Sequence, residues 1–280
     1  MKDILQHAPL NQRVAYIDQY DKRLLFPLAR QVKRDEIGIS LPLPFSGYDR
    51  WTAYELSWLN PKGKPEVAMG IFWIPCDSPC IIESKSLKLY LNSFNQTVFP
   101  SKDTVSACIA RDLSEAAGAS VDVELFDIQA QTEGGVVDPT LQSLLDGFCL
   151  DTLDVACTSY TVDPSLLSVG NTLVENHTVF SHLLKSNCLV TGQPDWGSIF
   201  IQYSGPHIQE AALLQYLVSF RNHNEFHEQC VERIFTDLMR YCQLERLLVY
   251  ACYTRRGGID INPLRATHAV QHLSPLVLVR

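Results

Sequence analysis

The sequence has no Cys-x-x-Cys pair, no glycine-rich phosphate loop and no long apolar run, and each absence removes a class of protein. Cys76 and Cys80 are the only close cysteines, and no second cysteine or histidine pair stands near them. No metal site is therefore expected there or elsewhere. Without Gly-x-Gly-x-x-Gly or a Walker-type loop, the usual cradles for dinucleotide and nucleotide phosphates are missing. No stretch of about 18 or more uncharged apolar residues exists, so no membrane span is expected. Residues 1–34 mix Asp, Lys, Arg and Gln with apolar residues and lack the apolar core of a secretory signal. Positive charge is short as well: 23 Lys and Arg against 31 Asp and Glu leave a net charge of −8. That balance argues against direct binding of nucleic acid, which depends on counterion release by basic side chains. Nine cysteines, an odd number with no export signal, read as reduced thiols in a cytoplasmic protein.

What remains is ample core material: 46% hydrophobic residues in a chain of 280. Residues 225–240 place Val231, Ile234, Phe235 and Leu238 at i, i+3, i+4 and i+7, an amphipathic helix. Residues 208–222 read as another, with Leu214, Leu217 and Val218 on one side. Strand-like runs precede them at 173–184 and 198–203. Two more follow at 247–253 and 266–279, around the turn signal Gly257-Gly258. The first half repeats the order: strands at 54–59 and 67–74, helices at 83–94 and 102–117, then a strand at 121–126. Tyr90-Leu91-Asn92-Ser93-Phe94 matches Tyr216-Leu217-Val218-Ser219-Phe220 at four of five positions, at an offset of 216 − 90 = 126. The expectation is an α+β chain of two ββααββ units with antiparallel sheets and helices on one face. The halves are 1–149 and 150–280, joined through the stretch 129–171.

The most unusual segment runs Ser186-Asn187-Cys188-Leu189-Val190-Thr191-Gly192-Gln193-Pro194-Asp195-Trp196-Gly197. A cysteine leaves a strand for a polar turn, and a carboxylate follows seven residues later. Cys188 can simply end a strand, and Pro194 to Gly197 can be an ordinary turn. The chemical alternative makes Cys188 a nucleophile. A free thiol titrates near ~8.5, yet even the small thiolate fraction at pH 7 is very nucleophilic. Asp195 is suited to take and return the proton such chemistry moves.

Three other places read both ways. Glu83-Ser84-Lys85-Ser86-Leu87-Lys88-Leu89-Tyr90 is either a solvated helix start with a favourable first-turn acid or a binding motif. His227 lies four residues before Val231 on the apolar stripe, which suits a core or capping histidine, and Glu228 is an ordinary first-turn acid. Arg255-Arg256-Gly257-Gly258 makes a hairpin turn, and its guanidinium groups and amides also suit a phosphate.

Together these pieces resemble the NADPH-dependent 7-cyano-7-deazaguanine reductases, in their long form with two related halves. The Glu83 to Tyr90 segment is similar to the family signature, Ser186-Asn187-Cys188 with Gln193 to Gly197 to its catalytic segment, and Phe226-His227-Glu228 to its substrate-binding pair. Leu189 stands where the family usually has proline, which restores a backbone N–H and frees φ. The resemblance implies a tunnel fold, a homodimer, and reduction of the nitrile of a deazapurine precursor of the tRNA nucleoside queuosine. Cys188 would form a thioimide and Asp195 supply the proton. Ile82, Glu83, Ser84, His227 and Glu228 would bind substrate, and Ser84, Lys85, Arg256 and Gly257 would contact NADPH. A site using both sets of residues would form where the halves meet. Two other readings are a tunnel-fold zinc cyclohydrolase, which needs a metal-activated water, and a purine-binding protein without catalysis.

Overall fold

The computed structural model describes residues 16–128 and 139–273. The chain is mixed α+β and divides into two compact units that do not follow a single cut. Unit one holds residues 16–35, 48–128 and 255–261, and unit two holds 36–47, 139–254 and 262–273.

In chain order the first elements are β1 (Pro27–Ala29), α1 (Gln31–Glu36), β2 (Ser46–Leu59), β3 (Pro65–Pro75), β4 (Cys80–Ile82), α2 (Ser84–Asn92), α3 (Lys102–Ala117) and β5 (Asp122–Phe126). Strand β3 lies between β2 and β5, antiparallel to both, while β1 and β4 form a separate short pair. Helix α3 has the bounds its sequence predicts. The hydroxyl of Ser101 accepts the N–H of Thr104, and Gly118 ends the helix with φ 73°. Its stripe of Val105, Cys108, Ile109 and Leu113 is buried against Trp51, Phe72, Tyr90 and Phe94. Ile109 and Leu113 are fully buried, a class of side chain whose truncation to alanine costs about 2–5 kcal/mol.

The remaining elements are α4 (Pro139–Leu145), β6 (Phe148–Cys149), β7 (Val169–Asn187), β8 (Pro194–Ile208), α5 (Glu210–Ser219), α6 (His227–Cys242), β9 (Arg246–Tyr253) and β10 (Ile259–Ala266). Strands β7, β8, β9 and β10 run antiparallel in that order, and β6 adds to β7 in parallel. Helix α6 packs on β9, with Val231, Ile234, Phe235 and Leu238 all inaccessible to solvent.

Three expectations need correction. The last strand is Ile259–Ala266, directly after the Gly257-Gly258 turn, and not 266–279; residues 267–273 are irregular and 274–279 lie outside the described residues. Asn262 and Pro263 masked it, because proline rarely sits inside a strand. Among the described residues, the full ββααββ order appears only in the second half. The first gives ββααβ, interrupted by β4, and residues 129–138 of the expected linker lie outside the described residues. One strand pair, β6 with β7, is parallel.

Candidate active site

Cys188 follows directly on β7, and its loop is closed by backbone bonds. The N–H of Cys188 donates to Gln193 O at 2.8 Å, and the N–H of Gly192 donates to Cys188 O at 3.0 Å. Gly192 takes φ 66°, where a Cβ would strain the turn. These bonds hold the loop that the missing proline at Leu189 would otherwise stiffen. The base of the loop is tied to the segment leading into α6: Asn187 N–H donates to His223 O at 2.7 Å, and Glu225 N–H to Asn187 O at 3.2 Å. Lys185 Nζ donates to Asn187 Oδ1 at 2.7 Å, so side chains brace the same corner. The Cys188 side chain itself is half-buried.

Asp195 stands opposite Ser186 in the β7–β8 register, one pair below the loop, and is 3% exposed. Helix α6 then aims its first residue at it: His227 Nε2 lies 3.9 Å from Asp195 Oδ1. The His227 ring meets the Tyr253 ring edge-on, centroids 4.1 Å apart at 90°. Tyr253 is buried, which drives its hydroxyl well above the ordinary tyrosine range; Cys230 and the Asp195 charge add to this. It therefore stays a neutral wall. Glu228, next in the first turn, is 2% exposed. Unit two thus sets Asp195 against His227 at the end of the β7–β8 hairpin that carries the Cys188 loop, with Glu228 buried next to His227 in the first turn of α6. His227 is not on the core stripe as its spacing suggested; its side chain is half-buried against Asp195 and Tyr253.

No motif or spacing points to what fixes that corner. Glu225 is buried and accepts from Arg233 Nε at 3.0 Å and Nη2 at 2.8 Å, with His223 Nε2 at 2.9 Å. Burial alone would raise its pKa, but these bonds and the Arg233 charge outweigh it and bring it down to about 2. The ionised carboxylate anchors the start of α6 beside the nucleophile loop. The same environment tells the cysteines apart. Burial, helped by Glu225, pushes the Cys230 thiol up to about 12, and burial does the same for Cys242. Both are inert at neutral pH.

Unit one builds a different kind of site. Glu83 is the N-cap of α2 and not a first-turn acid. Its two carboxylate oxygens accept the N–H groups of Lys85 and Ser86, each at 2.8 Å. Burial raises its pKa against those two bonds. Each oxygen keeps a further lone pair for a ligand. Ile82, the end of β4, is buried, whereas Ser84 and Lys85 are half-buried at the helix start. Arg256 and Ile259 exchange backbone bonds around Gly257 (φ 59°) and Gly258 (φ 78°), a two-residue turn that requires both glycines. A Cβ on Gly257 would stand 2.9 Å from Lys88 Nζ, so the turn lies directly against α2. Lys88 is in turn 3.7 Å from a Glu55 oxygen. The Gly257-Gly258 turn and Lys88 thereby lie side by side, with the Glu55 carboxylate next to both.

Comparison with known proteins decides the family. Residues 16–125 match the family described as "Nitrile reductase, 7-cyano-7-deazaguanine-reductase N-term", and residues 194–272 match "QueF-like protein". A protein of Azoarcus sp. (strain BH72) described as "NADPH-dependent 7-cyano-7-deazaguanine reductase" is 55% identical over 274 residues, covering 98% of this chain and 95% of that protein. The chain belongs to the 7-cyano-7-deazaguanine reductase family. Members with the same description from Albidiferax ferrireducens and Chromohalobacter salexigens are 56% and 53% identical, covering 94% and 99% of this chain. Glu83, Ser84 and Lys85 lie in the first matched stretch, and Asp195, His227, Glu228, Arg256 and Gly257 in the second. Cys188 falls between the two, within the span that the full-length family members share.

Proposed function

We propose that the chain reduces the nitrile of 7-cyano-7-deazaguanine to the primary amine of 7-aminomethyl-7-deazaguanine, using NADPH, in queuosine biosynthesis. The observation that carries this is the likeness over almost the whole chain to reductases of that description. The corner formed by Cys188, Asp195 and His227 supplies the chemistry. Asp195 takes the thiol proton as the Cys188 sulfur bonds to the nitrile carbon and passes it to the nitrile nitrogen, giving a thioimide. His227, 3.9 Å from Asp195, positions the base and assists proton movement. Glu228 and Glu83 accept N–H groups from the guanine-like edge, with Ile82 and Ser84 beside them. Two NADPH molecules bound in turn would each supply one hydride, the first to the thioimide carbon and the second to the imine carbon left after the C–S bond breaks and Cys188 regains its proton. Ser84, Lys85, Arg256 and Gly257 would hold the cofactor, with Lys88 beside the Gly257 turn adding positive charge for its phosphates.

The same reading carries a tunnel fold in two halves, 1–149 and 150–280, and a homodimer in the cytoplasm that handles a free base without binding nucleic acid. Antiparallel strands with paired helices support the fold, and the net charge of −8 supports the small-molecule partner. Among the described residues, no helix is long and apolar enough to cross a membrane. The test is direct: purified protein with 7-cyano-7-deazaguanine should consume two NADPH per base and release the amine. Absence of substrate-dependent NADPH oxidation in folded protein would refute the function.

A further inference from the structure

Away from the Cys188 corner, unit two brings together three residues that no sequence spacing suggested. His177 on β7, His207 near the end of β8 and Glu210 in the first turn of α5 have ligand atoms all within 4.8 Å of one another. We propose that His177, His207 and Glu210 bind a divalent transition-metal ion of the zinc class. Two imidazoles and one carboxylate are a zinc donor set, and such ions take nitrogen and oxygen ligands at about 2.0–2.2 Å. Glu210 Oε1 already faces His207 Nε2 at 3.1 Å, the spacing of two ligands on one ion. The Nε2 of His177 is buried and has no hydrogen-bond partner among the described residues, so a metal would satisfy an otherwise costly polar atom.

The surroundings hold the two histidines in place. Their rings lie 5.3 Å apart. Tyr203, 1% exposed, packs edge-on against His177 at 5.5 Å, and its hydroxyl oxygen accepts the N–H of Ile208, the neighbour of His207, at 3.0 Å. One buried tyrosine thus fixes both ligand-bearing strands, the kind of support metal ligands need. Asn176, at φ 48°, sits in the irregular stretch of β7 between Val174 and His177 and turns the strand into the cluster. Bound there, the ion would pin β7 and β8 to the start of α5. The role is structural, since none of the three residues belongs to the reductase chemistry.

The test is titration of chelator-treated full-length protein with Zn²⁺, followed by calorimetry and by thermal melting. The wild-type chain should take up one ion per chain and melt at a higher temperature with it. His177→Ala and His207→Ala should weaken binding by more than the about 10–100-fold that outer-shell partners are worth, and abolish the thermal shift. Glu210→Gln, a change at a half-buried helix start, covers the case in which a histidine variant fails to fold, and should also weaken binding. Reductase turnover should be the same with and without the ion. No saturable uptake by wild type would overturn the site, as would equal uptake by Glu210→Gln and a folded histidine variant, which would put the ion on the cysteines.

Discussion

In unit one the hydroxyl of Tyr90 donates to Asp112 Oδ2 at 2.7 Å, and in unit two Tyr216 donates to Asp237 Oδ2 at the same distance. Ser93 and Ser219 each donate to the carbonyl of that tyrosine at 2.6 Å, and Phe94 and Phe220 each meet its ring edge-on. The tyrosines are 126 residues apart and the aspartates 237 − 112 = 125, so one brace between paired helices occurs twice. The helix starts above the braces differ more than the braces do. Helix α2 begins with the buried Glu83 cap and two lysines, whereas α5 begins Glu210-Ala211-Ala212 and has no side-chain cap bond. Helix α3 begins with a Ser101 cap, and α6 with His227 and Glu228. The same brace stands in both units, while under the proposed function the helix starts take separate work: cofactor and substrate contacts in unit one, and covalent chemistry with substrate contacts in unit two.

The largest effect that would sharpen this division is Asp195→Asn. An amide cannot supply the proton, so adduct formation in the absence of NADPH should slow by about 10²–10⁴-fold, with substrate affinity kept. Rapid-quench mass measurement reads the rate, and a near wild-type rate would leave Asp195 a mere strand residue. Lys85→Ala should do the opposite. Losing one charged contact, about 1.5–3 kcal/mol, raises KM for NADPH roughly 10–150-fold and leaves adduct formation alone. If Lys85→Ala slowed the adduct instead, the units would not divide the reaction as described.

The smallest effect sets the two braces against each other. Burial would raise the pKa of Asp112, but hydrogen bonds from Tyr20, Tyr90 and Arg111 outweigh it and lower the value. Asp237 is raised by burial, which the Tyr216 bond does not overcome. For Asp112 the stabilisation is present above the unfolded carboxyl range and is lost as pH falls through its lowered folded value. For Asp237 the sign reverses: stability is full below the unfolded value and declines as pH rises through the folded one. At pH 7, Asp112→Asn should therefore cost about 1.5–3 kcal/mol, or roughly 3–10 °C in Tm, and Asp237→Asn little or nothing. Equal losses in thermal melts would mean that the braces are equivalent.

The parts of this molecule that sequence alone exposes are those set by local rules. Helix α3 is bounded by a serine cap and a left-handed glycine, so its ends are written in neighbouring residues. Strand β7 runs from Val169 to Asn187, longer than the expected 173–184, because Asn171, Thr172 and Lys185 interrupt its apolar pattern; the pairing with β8 shifts register between Val169 and Leu173 but resumes, and Lys185 stays paired with Trp196. Strand β10 was hidden by Pro263. The Cys188 to Asp195 hairpin was legible as a turn between strands. Its clamp was not: Glu225 meets Arg233 across the start of α6, and Asn187 meets His223 across 36 residues, pairings that only the fold creates.

The central claim is that Cys188 is the nucleophile, and the most direct measurement is intact mass after incubating the protein with 7-cyano-7-deazaguanine and no NADPH. Wild type should gain the mass of one base per chain, and Cys188→Ala, with Cys230 and Cys242 still present, should gain none. An unmodified wild-type chain at saturating substrate, or an adduct that survives in Cys188→Ala, would contradict it.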